Sequence, residues 1–167
     1  MNIHAVLEAL QNSAVAGIVT GSTTDSDVLF PIIETVHVLA LATVFGSIVM
    51  VDLRLLGISS RGSRVSRLSA EVLPWTWTAF VLAAISGSLM FVGKATTYWN
   101  NPQFELKFLG MFLAGVNMLA FHFGIYRRVS DWDCALPAPR AARLAGALSI
   151  GLWVAVIFMG RWVGFTT

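Results

Sequence analysis

The chain has 167 residues, 56% of them hydrophobic and 12% charged, with a mean hydropathy of +0.74. A soluble domain of this size carries about twice that charge fraction, so the composition excludes an ordinary soluble protein and places the chain in a membrane. The net charge of +2 does not call for nucleic acid, because the basic residues sit in short loops between apolar segments.

Residues 3–19 place Ile3, Val6, Leu7, Leu10, Ala14 and Ile18 on one helical face, with His4, Glu8 and Gln11 on another. That spacing predicts a short amphipathic helix lying in the membrane interface. No Lys or Arg precedes Arg54, so the stretch lacks the basic start of a cleaved signal peptide. "TGSTTDSD" at 20–27 reads as a polar linker. Four apolar segments of more than about 20 residues follow, each long enough to cross a hydrocarbon core about 30 Å thick. Their expected bounds are 31–55, 74–99, 104–126 and 141–165. Pro31 and Pro74 are each expected in a first helical turn, where a missing N–H costs nothing. The predicted fold is all-α: one integral membrane domain over 1–167, a four-helix bundle preceded by the interfacial helix.

Eight basic residues (Arg54, Arg61, Arg64, Arg67, Arg127, Arg128, Arg140 and Arg143) fall on one side of these spans, against Lys94, Lys107 and Arg161 on the other. This bias predicts that the loops carrying them face inward and that both termini face outward. Cys134, the only cysteine, falls in a cytoplasmic loop, so a disulfide framework is excluded. Small residues four apart, such as Ala83 and Gly87 or Gly110 and Ala114, permit close helix contact within the bundle. Gly160 and Gly164 could equally serve a dimer.

Pro31, His37 and the segment D-L-R-L-L-G at 52–57 carry a resemblance. The chain resembles a bacterial family of uncharacterised small membrane proteins in which an amphipathic helix leads to a proline, a helix with an early histidine, and that closing motif. More loosely, the layout is similar to the four-helix membrane domains of copper-resistance protein D and of small b-type cytochromes. The looser resemblance implies copper or haem.

Depth and angle select candidate ligands. Counted from the outer helix ends at about 1.5 Å per residue, His37 lies roughly 9 Å deep, Met111 roughly 10 Å and His122 roughly 27 Å. The two histidines differ too much in depth to share one haem. At about 100° per residue, Lys107, Met111, Met118 and His122 form one stripe. Lys94, Met90, Gly87 and Ala83 form another, and Met159 falls at the same outer depth. His37 with the thioethers of Met90, Met111 and Met159 would suit Cu(I). His37 with Met111 would equally suit haem b, with Lys94 or Lys107 beside the propionates.

Glu34 either complements the helix dipole in a first turn or tunes His37 from one turn away. Asp52 is expected on the Glu34 face, paired with a basic loop residue, while Arg54 reaches water. On that reading Asp52→Asn reduces folded yield more than Arg54→Gln. His122 is expected to make a structural hydrogen bond. "ETVH" matches one half of a di-iron site, but such a site needs a second copy and two further glutamates. No Ser–His–Asp arrangement or phosphate-cradling loop points to conventional catalysis. The expected function is copper or haem binding near the outer face, in metal handling or membrane electron transfer. The alternative is a cofactor-free structural or assembly subunit. Expected partners are the bilayer and a homo-oligomer or larger membrane complex.

Overall fold

The computed structural model describes residues 2–22 and 28–166, and most of the polar linker expected at 20–27 lies outside them. The described chain is helical throughout: α1 (Ile3–Gln11), α2 (Ala14–Thr20), α3 (Leu29–Leu55), α4 (Val65–Gly93), α5 (Ala95–Trp99), α6 (Pro102–Ala120) and α7 (Arg140–Thr166). Between α6 and α7 the helix widens into a π turn (Phe121–Ile125) and then tightens to 3-10 (Tyr126–Asp131). Four helices are long and apolar enough to cross a membrane, as the hydropathy requires.

The single interfacial helix expected at 3–19 is two helices. Asn12 and Ser13 interrupt it, and the Ser13 hydroxyl accepts from the Ala16 amide to start α2. Both pieces dock on the bundle. Leu7 is buried where α1 meets α5, and Ala16 and Val19 are buried where α2 meets α3 and α4. Gln11 fixes the arrangement, its side-chain oxygen accepting from the Thr96 amide (3.1 Å) and hydroxyl (2.6 Å).

The second span also departs from expectation. α4 begins nine residues before Pro74, so this proline sits inside the helix rather than in its first turn. A membrane helix tolerates such a proline because neighbours can satisfy the freed backbone groups. At about 1.5 Å per residue α4 is about 43 Å long, so its first turns project beyond the hydrocarbon core. It ends at Gly93, because Lys94 leaves helical geometry (φ −142°, ψ 42°), and α5 forms a separate turn.

The long helices pack in the order α4–α3–α7–α6. Close approaches mark the seams. A Cβ on Gly110 would lie 2.8 Å from Val156, and one on Gly146 would lie 3.3 Å from the Asp52 carbonyl oxygen. The pair α4 and α6 makes no comparable contact along its length, so the bundle is open on that side.

The basic end is closed by a latch built on D-L-R-L-L-G. α3 stops in a Schellman turn: the Ile58 amide donates to the Leu53 carbonyl (3.0 Å) and the Gly57 amide to the Arg54 carbonyl (3.1 Å). Gly57 takes φ +74°, a conformation that strains side-chain-bearing residues. Arg54 is 0% exposed, not at the surface as expected. Its Nε donates to the Ser63 carbonyl (2.7 Å) and its Nη2 to the Asp133 carbonyl (3.3 Å), tying the α3–α4 loop to the α6–α7 loop. Asp133 adds a second tie, its carboxylate accepting from the Ser66 amide (2.8 Å) and hydroxyl (2.6 Å) at the start of α4. Slight desolvation would raise the Asp133 pKa, but these hydrogen bonds and the Arg64 charge outweigh it and hold the carboxyl below its ordinary value. Leu55, Val65, Trp132, Ala138 and Ala142 form the apolar core under the latch.

Asp52 is buried as expected, at 6% exposure, but it has no basic partner. Among the described residues the only salt bridge is the exposed pair Arg67–Glu71. Glu34 shares the angular line of Asp52 yet is exposed, because α3 opens at Leu29 and its outer end is covered on fewer sides. The earlier helix start also puts Glu34 beyond the first turn, which removes the dipole role.

Candidate functional site

The outer half of the bundle encloses a cavity of about 650 Å³ between α3, α4, α6 and α7. His37 enters it from α3, Gly87 and Ala83 from α4, Lys107 and Met111 from α6, and Trp153 from α7. His37 is seated by the small residues of α4. Its Nδ1 lies 3.0 Å from the Ala83 carbonyl oxygen and 3.0 Å from the Ser86 hydroxyl. A Cβ on Gly87 would stand 2.9 Å from the imidazole Cε1, so only glycine lets the ring lie this close. The tautomer follows from the partners. A carbonyl can only accept, and the Ser86 hydroxyl donates to the Leu82 carbonyl (2.7 Å), so Nδ1 carries the proton. The neutral ring then presents a lone pair on Nε2, which has no partner among the described residues.

Lys107 lies along α7, where a Cβ on Gly160 would stand 3.5 Å from its Cδ, Cε and Nζ. That contact gives Gly160 a role within one chain. The Lys107 ammonium has no carboxylate partner among the described residues. Stacked aromatics close the outer end of the α4–α6 opening: Phe91 on Phe104 (5.5 Å between centroids) and Tyr98 on Phe104 (5.6 Å). Burial first, and the Glu34 charge second, raise the pKa of the Tyr98 phenol.

A second cavity of about 470 Å³ continues toward the basic end. Phe80, Phe108, Met111 and Trp153 line both cavities and form the partition. Asp52, Asn117, His122 and Ser149 line only the second. His122 stacks on Tyr126 at 5.0 Å within the π turn, and no hydrogen bond from it is present among the described residues, so a ring contact replaces the expected one.

The α6 stripe read from the sequence lines the two cavities, with Lys107 and Met111 on the outer one and Met111, Met118 and His122 on the inner, although Met118 is also exposed on the bundle surface. Met90, Lys94 and Met159 line neither cavity. Lys94 is turned away by the break that ends α4. Among the described residues no cluster of three or more His, Cys, Asp or Glu side chains forms a metal site. Ser86, the Ala83 carbonyl and Trp153 were not singled out from the sequence. A serine among the small residues of a membrane helix carries no distinctive pattern, and a backbone carbonyl carries none at all.

No curated protein and no solved structure matches the chain. A family model does match, over residues 12–166, and its description is "Family of unknown function (DUF6644)". With four membrane-length helices and a match over nearly its whole length, the chain belongs to the DUF6644 family of multi-pass membrane proteins.

Proposed function

We propose that this protein holds haem b in the outer cavity, where His37 and Met111 would hold its iron, and serves membrane electron transfer. The observation that carries the reading is the His37 side chain: Nδ1 is anchored on a backbone carbonyl and Nε2 is left free toward a large apolar cavity. That second hydrogen bond orients the ring and raises its basicity, as at other histidine ligands. The Met111 thioether lines the same cavity, and the Lys107 ammonium offers a charge partner for a propionate. The aromatic stack of Phe91, Tyr98 and Phe104 borders the outer end of the site. Bound haem b supplies a one-electron couple.

The volume favours haem over a bare ion, since cavities of roughly 300–1,000 Å³ suit organic ligands. Cu(I) would need several soft donors together, and Met90 and Met159 stand outside the cavity. An absorption spectrum of detergent-purified protein tests the reading. A Soret band is expected in wild type and in His122→Ala, lost in His37→Ala, and shifted in Met111→Leu. Copper without a Soret band would replace haem with copper. Neither cofactor would leave a cofactor-free subunit.

The basic end faces the cytoplasm of a bacterial inner membrane, by the eight-to-three excess of positive charge there. A periplasmic reporter should be active when fused after Thr167 and inactive when inserted at Ser130. The opposite pattern would invert the orientation.

A further inference from the structure

We propose that the inner cavity binds a lipophilic ammonium cation, with Asp52 as its counter-charge. Asp52 is more than nine-tenths buried, and its Oδ2 has no hydrogen-bond partner among the described residues. Its other interaction is with the Ser149 side chain on α7. A carboxylate taken from water without a cationic partner is strongly disfavoured, so Asp52 in its ionised form calls for one. Arg54 cannot complete it. Two residues along the helix, it makes no ion pair with Asp52; its Nε and Nη2 donate to the Ser63 and Asp133 carbonyls, and its Nη1 is itself without a partner among the described residues.

The cavity in front of Asp52 has the size of an organic ligand site and is lined mainly by apolar and aromatic side chains. Trp77, Phe80, Phe112, Phe121 and Trp153 are among them. Aromatic faces attract cations, and most strongly where water is excluded. A single carboxylate on a wall that carries aromatic rings selects a protonated amine on an apolar body. Such a molecule partitions into the bilayer and has a route in, because α4 and α6 are not in close contact along this side. His122, the other titratable side chain on the cavity wall, lies toward the basic end and is stacked on Tyr126. The proposal is independent of the haem reading, because Asp52 does not line the outer cavity.

The test compares naphthylmethylammonium with its neutral counterpart naphthylmethanol by calorimetric titration of the detergent-purified protein. Wild type is expected to bind the ammonium about tenfold or more tightly than the alcohol, a difference of about 1.4 kcal/mol. Asp52→Asn, nearly the same in shape, should bring the two affinities together. Gly115→Leu provides a second variant. Gly115 lines the cavity and a Cβ there would meet nothing within 4 Å, so a leucine has room to start into the cavity and should weaken both ligands. Equal affinities in wild type would mean a purely apolar cavity, filled by lipid chains, and would overturn the proposal. So would an undiminished ammonium preference in Asp52→Asn, or no binding of the ammonium at all.

Discussion

Arg54→Gln is expected to destabilise the protein by about 3 kcal/mol, the loss of two hydrogen bonds from a fully buried charged donor. Glutamine is too short to reach both the Ser63 and Asp133 carbonyls, so the tie between the two loops is lost. The latch would open at the basic end, loosening Trp132 and the core beneath it. Asp52→Asn should change stability by less than about 1 kcal/mol, because the carboxyl it replaces has an unpartnered oxygen and no ion pair to lose. This ranking reverses the one expected from sequence. Thermal unfolding in detergent, followed by far-ultraviolet circular dichroism, would measure it. A larger loss in Asp52→Asn than in Arg54→Gln would show that the latch is not what holds the basic end.

Gly87→Ala should have a large effect in the outer half. The new Cβ would stand 2.9 Å from the His37 ring, which can retreat toward the cavity only by giving up its hydrogen bonds to Ala83 and Ser86. Overpacking of this kind costs about 1–3 kcal/mol. Moving the ring also breaks the Nδ1 hydrogen bonds that set the tautomer, so any spectrum owed to a cofactor on His37 should shift or vanish. Gly115→Ala is the control, since its Cβ meets nothing and alanine is the better helix former by about 1 kcal/mol. Comparable melting temperatures and spectra for the two variants would show that His37 is not seated on Gly87.

Several features were legible in the sequence, and each rests on local physics. The length and hydropathy of four segments compel helices, because a lipid-exposed backbone must satisfy its own hydrogen bonds. The α6 stripe of Lys107, Met111, Met118 and His122 follows from helical periodicity alone, and its members line the two cavities. Asp52 could be placed inside the bundle for the same reason. Helix ends were less legible. Pro74 fits a first turn or a tolerated interior position equally well, and the choice fell to the inner loop, where Asp133 caps a helix that starts at Val65.

Only the tertiary structure decided which residues meet. Arg54 near a helix end looks like a surface residue until the α6–α7 loop, nearly eighty residues away, is folded over it. His37 and Met111 could be matched in depth from sequence, but so could Met90 and Met159, which face elsewhere. The open side between α4 and α6 is a property of helix packing, with no single residue to announce it. Periodicity fixes directions along one helix. Rotation of one helix against another depends on which small residues admit which large ones, here Gly87 beneath His37 and Gly110 against Val156, and that is settled only when all the helices are packed together.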